Sequence, residues 1–264
     1  MRTNTHRNNK KKIINDPVYG FISIPDEFIF DLIEHPYIQR LRYIKQLGMT
    51  HLVYPGALHT RFHHVIGAMH LMTLAIGVIR KKGHPISMEE ERAVLVAILL
   101  HDIGHGPFSH ALEYDIVSGV SHEKISAYFI EALKKEFPQN SDDLQRALLI
   151  FSNQYHKKFL HQLVSSQLDM DRLDYLTRDS FFTGVSEGIV GTERLIEMLN
   201  VHHDQLVVEE KGIYSIEKFI VSRRVMYWQV YMHKTVVSAE FMLINILRRA
   251  KELALDGADL FASP

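Results

Sequence analysis

The feature that most constrains this chain is Ala93–Leu100, an unbroken apolar run that leads straight into His101-Asp102. A helix that is apolar on every side has no solvated face, so this segment is expected at the centre of the molecule, wrapped by other elements. It is far shorter than the ~20 residues a membrane span needs. Glu89, Glu90 and Glu91 open the helix favourably for its dipole, and Gly104, Gly106 and Pro107 stop it just past the aspartate. A carboxylate at the end of such a run is a costly buried charge unless it meets a cation. The run therefore predicts a helical core and, at its edge, a metal ion.

Around that segment the apolar spacing is helical. Phe28, Leu32 and Ile33 form a short stripe that Pro36 ends, and Tyr37, Ile38, Leu41, Ile44 and Leu47 form a second, closed by Gly48 at a C-cap position. A long helix is expected from Phe62 to Lys82, and others over Ser121–Phe137, Asp142–Phe151, Phe159–Asp179 and Thr192–Asn200. The strand signal is confined to Gln205–Val208 and Ile213–Ser215, a short hairpin about the turn Glu209–Gly212. A last helix of roughly 30 residues starts near Ile216. No linker rich in Pro, Gly or Ser divides the chain. The expectation is an all-α bundle with a small β hairpin: a basic tail over residues 1–14 and one core domain over 15–264. The ending at Ala262-Ser263-Pro264, soon after an amphipathic helix, is expected to be a truncation.

Composition narrows the function classes. Apolar residues are 46% and charged residues 23% of the chain, which excludes disorder for most of it. Thirty basic against thirty-one acidic residues leave a net charge of -1, so nucleic acid held by overall charge is not expected, and the basic run Arg7–Lys12 reads as a solvated tail. The absence of cysteine excludes thiolate ligands and a Cys nucleophile. Met1–Lys12 is polar with no apolar segment behind it, so no secretory signal is read there; a cytoplasmic location without membrane attachment is expected.

Histidine is the abnormal figure, at 17 residues. Three segments supply candidate ligands: Arg61-Phe62-His63-His64, His101-Asp102, and Asp169 to Asp174. Imidazole and carboxylate without thiolate suit a first-row divalent ion such as Mn, Fe, Ni or Zn. A lone histidine on an apolar helix is more often a hydrogen-bonded core residue than a ligand. Here the pairing with a buried aspartate tips the reading toward metal.

In chain order, His64, His101-Asp102 and Asp171 give the pattern H…HD…D, which resembles the metal ligands of the HD-domain phosphohydrolase superfamily. The stretches Asn15–Gly20, Gln39–Gly48, His101–His110 and Asp171–Asp179 narrow the resemblance to its SAMHD1-like branch, the deoxynucleoside triphosphate triphosphohydrolases. The dipeptide HD alone carries almost no information; the decapeptide from His101 to His110, with the other blocks in order, is specific. The similarity covers Asn15 to Lys234.

The resemblance implies an HD-domain helical bundle that cuts a deoxynucleoside triphosphate (dNTP) at its α-phosphorus, giving deoxynucleoside and inorganic triphosphate. It implies one ion on His64, His101, Asp102 and Asp171, with Mg accompanying the nucleotide. By position, His105, His110, Glu113, His122 and Glu123 match proton-handling residues, Glu113 standing where a relative has Asp. Arg61, Arg172 and Arg223 match phosphate contacts; Gln46 and Leu47 lie near base and sugar; Tyr175 and Asp179 match residues at the deoxyribose, and Tyr231 an aromatic against the nucleoside. Lys12, Ile13, Asn15, Glu34, Gln39 and Arg42 match residues around a guanine nucleotide effector, which in the family favours homodimers or homotetramers. Arg178 and Arg224 receive no role and are read as surface or salt-bridge residues. Two alternatives stay open. One is an HD phosphohydrolase for nucleoside monophosphates or cyclic nucleotides; the other is a catalytically weak binder of nucleotides or single-stranded nucleic acid. The three matched arginines favour a polyphosphate substrate.

Overall fold

The computed structural model describes residues 12–108 and 121–257. Its first element is one that helical periodicity does not announce. Strands β1 (Ile13–Asp16) and β2 (Gly20–Ser23) form an antiparallel hairpin. The Asp16 carboxylate builds its turn, accepting from the amides of Val18 (2.9 Å) and Tyr19 (3.0 Å), and Gly20 takes a left-handed φ of 73°.

Helix α1 (Glu27–Glu34) is capped by Asp26 and follows its stripe. The second stripe is corrected. In place of a helix from Tyr37 to Leu47 there is a single turn, α2 (Pro36–Gln39), then a 3-10 turn over Arg40–Tyr43, after which Ile44 is extended. The cause is tertiary: the Ile44 carbonyl accepts from the Arg61 amide at 2.9 Å and the Gln46 amide donates to His59 at 3.0 Å. A continuous helix would turn this stretch to partners within itself and leave the Arg61 amide and the His59 carbonyl unpaired.

Helices α3 (Arg61–Lys81) and α4 (Met88–Leu100) are the centre of the molecule. Ser87 and Glu90 cap α4 reciprocally, and no residue from Ala93 to Leu100 is more than 1% exposed. After the undescribed segment come α5 (His122–Glu136), α6 (Ser141–Phe151), α7 (Lys158–Val164) and α8 (Met170–Thr183). The centre is packed against them, α4 on α6 and α3 on α8. Among the described residues α3 is the one helix long and apolar enough to cross a membrane, and 72% of that window is buried inside the protein.

The helix expected over Phe159–Asp179 is two. Asp169 starts α8 afresh, its carboxylate accepting from the Arg172 amide (2.7 Å) and the Ser166 amide (2.6 Å). Helix α9 (Thr192–Glu197) then gives way to β3 (Leu199–His202), paired with β4 (Gln205–Val208). The strand partner of Gln205–Val208 thus precedes it, with His203 and Asp204 at left-handed φ of 49° and 61° in the two-residue turn. Ile213–Ser215, expected as a strand, opens α10 (Ile213–Met226). The long final helix is interrupted by a π-helical turn over Tyr227–Tyr231 before α11 (Lys234–Leu255). The fold class is the expected all-α bundle, with two hairpins among the described residues in place of one.

Candidate metal centre and active site

His64 comes from the first turn of α3, His101 and Asp102 from the turn that ends α4, and Asp171 from the first turn of α8. Packing of these helices brings the four together. His64 Nε2 is 3.3 Å from His101 Nε2, and Asp171 Oδ1 lies 3.2 Å from the first and 3.6 Å from the second. Asp102 closes the group, with Oδ1 3.4 Å from His101 Nε2 and Oδ2 3.9 Å from His64 Nε2. Each ring has its other nitrogen engaged: His64 Nδ1 donates to Asp174 Oδ2 at 2.8 Å, and His101 Nδ1 to the Ile98 carbonyl at 2.6 Å. Those bonds place the proton of each neutral ring on Nδ1, so two Nε2 lone pairs face one another. Two acceptors so placed repel unless they share a proton or a metal cation. His64, His101 and Asp102 present ligand atoms within 4.8 Å of one another, and with Asp171 beside both rings the donor chemistry of two imidazoles and two carboxylates suits a divalent ion.

In the ion-free protein the proton takes that part. Burial alone would lower the His64 imidazole, yet hydrogen bonds to Asp171 and Asp174 and the charges of Asp174 and Asp102 raise it to about 10. His101 is raised against its burial by Asp102 and Asp171. Burial also works against the charged carboxylates, but Arg61 and His101 hold Asp102 well below the usual range, and His101 and His64 do the same for Asp171.

Residues outside the H…HD…D pattern hold this group from behind. Arg178 is fully buried and donates Nε and Nη2 to the two oxygens of Asp174, each at 3.0 Å, and Nη1 to Asp16 Oδ2 at 2.8 Å. It is therefore a core ion-pair residue and not a surface arginine. Gly67, one turn beyond His64, makes room for the pair: a Cβ there would overlap Asp174 Oδ1 and Arg178 Nη2. The His101-Asp102 turn is fastened to α5, since the Gly104 amide donates to Ser126 Oγ at 2.9 Å and that hydroxyl donates to the His101 carbonyl at 2.8 Å. From the other side Arg40 donates to the carbonyls of Ile103 and His105. Sequence reading gave no role at the site to Arg40, Ser126 and Arg178, and it offered Asp174 only within a segment of candidate ligands, where the structure makes it the partner of His64 Nδ1. For Asp174 and Arg178 the signal was present, because with Asp171 they fall at i, i+3 and i+7 on one face of α8.

Of the proton-handling candidates, His105 and His122 stack with ring centres 4.0 Å apart, and His105 Nε2 lies 3.3 Å from Asp102 Oδ1. Burial outweighs Asp102 and pushes His105 down to about 4. Glu123 is exposed beside His122, with Oε1 3.5 Å from its Nε2. His110 and Glu113 lie outside the described residues.

Arg61 is buried in an ion pair with the candidate ligand Asp102, and Arg172, next to Asp171, is folded back onto Asp169. Arg223, on α10, reaches Gln167 at 3.4 Å and lies over the Tyr227 ring. The Tyr175 and Tyr231 rings meet edge to face at 6.2 Å. Tyr231 donates to Asp179 Oδ2 at 2.8 Å, and the buried His59 Nε2 is 2.7 Å from Asp179 Oδ1. Both oxygens of Asp179 are thus engaged. Gln46 and Leu47 are half-buried beside the strand-like bridge between Lys45 and Thr60.

The effector candidates are spread over the start of β1, the end of α1, α2 and the 3-10 turn that follows it. The Lys12 ammonium sits 2.8 Å from the centre of the Phe30 ring, Ile13 begins β1, and Glu34 is exposed at the end of α1. Gln39 donates to the Ile33 carbonyl at 2.8 Å and accepts from Arg42 Nε at 2.7 Å, while the Arg42 guanidinium lies 3.6 Å above the Phe62 ring.

Comparison with known proteins follows the same lines. Residues 61–179 match the HD domain and residues 190–262 the HD associated region. The crystal structure of a phosphohydrolase from Bacteroides thetaiotaomicron is 59% identical, with a TM-score of 0.92 over 97% of this chain and 62% of that one. The uncharacterized protein YwfO of Bacillus subtilis is 40% identical, aligned over 94% of this chain and 58% of its own length. The deoxynucleoside triphosphate triphosphohydrolase SAMHD1 homolog of Dictyostelium discoideum is 34% identical over 91% of this chain and 50% of its own length. The chain thus spans about half to three fifths of the curated relatives it matches. The candidate ligands His64, His101, Asp102 and Asp171 all lie inside the matched segment 61–179, and the chain belongs to the HD-domain phosphohydrolase superfamily.

Proposed function

We propose that the protein is a metal-dependent dNTP triphosphohydrolase, converting its substrate to deoxynucleoside and inorganic triphosphate. The observation that carries this reading is the convergence of His64, His101, Asp102 and Asp171 from separate elements, with Arg61 paired to one of them. Similarity to the Dictyostelium homolog supports the choice of substrate. The four residues would hold one first-row divalent ion, Mn, Fe, Ni or Zn. When bound, such an ion polarises a phosphoryl oxygen and acidifies a water molecule.

The remaining work falls to side chains. Arg61, Arg172 and Arg223 supply planar guanidinium forks for the phosphates, Arg172 by exchanging Asp169 for a phosphate oxygen. Attack at the α-phosphorus breaks its bond to O5′, and that oxygen must gain a proton. His105 is neutral near pH 7 and stacked on His122, so this pair can hold and pass protons beside Asp102. Tyr175, Tyr231 and Asp179 form a wall of aromatic and carboxylate groups suited to a sugar, where a close ring excludes a 2′-hydroxyl. The same reading places a guanine nucleotide against Lys12, Ile13, Glu34, Gln39 and Arg42, with assembly into a homo-oligomer.

The test is incubation of Mn-loaded protein with each dNTP and NTP, with products identified by phosphorus NMR. Inorganic triphosphate with free deoxynucleoside is expected. Pyrophosphate as the main product, or action on monophosphates or cyclic nucleotides alone, would assign the site to another HD phosphohydrolase reaction.

A further inference from the structure

A chain of buried polar contacts leads from the N-terminal hairpin to a metal ligand. Asp16 closes the β1–β2 turn with Oδ1 and accepts from Arg178 Nη1 with Oδ2, at 2.8 Å. Arg178 grips both oxygens of Asp174 as a fork, each bond 3.0 Å, and Asp174 accepts from His64 Nδ1 at 2.8 Å. No member of this chain is more than 4% exposed. The hairpin also meets Arg178 a second time, through the Tyr19 ring, whose centre lies 5.5 Å from the guanidinium carbon.

We propose that the hairpin is a limb of the metal centre: Asp16, Arg178 and Asp174 act as positioning residues that fix the His64 ring, so hairpin order and ion binding are coupled. The proposal rests on the metal-site reading above. His64 presents Nε2 to an ion only while Nδ1–H is held, and ligand-orienting partners of this kind set both tautomer and ring direction. The fork is aligned at one end by Asp174 and at the other by Asp16, so Asp16 acts on the ring from the far side of a guanidinium. Coupling of this sort is reciprocal: whatever steadies the hairpin tightens the ion, and the ion steadies the hairpin. Asn15 and Ile13, on the same strand, thereby gain a mechanical route to the site.

Two measurements test it on the full chain. Hydrogen exchange of the amides in residues 13–23 is compared before and after loading wild-type protein with Mn²⁺, and slower exchange on loading is expected. Asp16→Asn has one acceptor oxygen where the turn and Arg178 require two, so a folded variant should bind Mn²⁺ about 10-fold more weakly, the lower end of the range for ligand-orienting partners. Unchanged exchange in loaded wild type, or wild-type affinity in folded Asp16→Asn, overturns the coupling while leaving the metal centre standing. Wild-type protein that takes up no Mn²⁺ overturns the metal reading itself, and the coupling with it. The exchange measurement needs no variant, so misfolding of Asp16→Asn does not shelter the proposal.

Discussion

Two imidazole lone pairs directed at one another tie the protonation of His64 and His101 to metal binding. His64, held up at about 10, carries a second proton at neutral pH in the ion-free protein, and an ion must expel it to reach Nε2. Affinity for Mn²⁺ is therefore expected to rise with pH between about pH 6 and about pH 9, roughly tenfold per unit for each proton released. Calorimetric titration in buffers of different ionisation enthalpy counts those protons; a pH-independent affinity would contradict the arrangement. A second prediction concerns the ligands themselves. Asp171→Ala and His101→Ala should each lose the bound ion and leave less than about 1% of wild-type activity, because a missing ligand weakens affinity and spoils the geometry of those that remain. Metal content and turnover measured together decide it, and retention of both in either variant counts against the site.

At the scale of elements, the site depends on how closely α3 approaches α8. Gly67 and Gly77 lie on the same helix, yet a Cβ at Gly67 would overlap the Asp174–Arg178 pair, whereas at Gly77 nothing lies within 4 Å. Gly67→Ala is expected to destabilise by roughly 1–3 kcal/mol through overpacking and to weaken metal binding. Gly77→Ala is expected to stabilise by about 1 kcal/mol, the helix propensity difference alone. Urea unfolding of both variants reads the contrast, and equal effects would show that the close approach is not what matters. The same scale explains which elements were legible. Helix α4 was readable from its apolar run and from the acidic Glu89, Glu90 and Glu91 of its first turn, both local features. The break between α7 and α8 was not, because it rests on the Asp169 carboxylate meeting amides on both sides of itself, and an aspartate in a polar stretch looks alike inside a helix and at its cap.

For the whole molecule, the sequence match to an HD domain followed by its associated region accounts for the bundle and for the chain beyond α8. The effector reading predicts behaviour at this scale. If a guanine nucleotide bridges copies of the chain, dGTP should raise both sedimenting mass and dNTP turnover, with a concentration dependence set by mass action. Arg42→Ala removes the partner of Gln39 and the guanidinium over Phe62, and should abolish both responses. Analytical ultracentrifugation with parallel assays checks this. Mass and activity indifferent to dGTP would remove the regulatory reading and leave the catalytic one intact.

The sequence by itself determined the helical class and the buried position of α4, and it singled out His64, His101, Asp102 and Asp171 as candidate ligands. Apolar period and a charge stranded at the end of an apolar run are local properties that any fold must satisfy. Only the tertiary structure decided where backbone groups pair across distance: the extended Ile44 beside Arg61, the β1–β2 hairpin, and Leu199–His202 as the partner of Gln205–Val208. It likewise decided the burial of Arg178. A guanidinium is soluble or buried according to the carboxylates that reach it, and here one of them, Asp16, comes from 162 positions away along the chain, a meeting that no window of sequence contains.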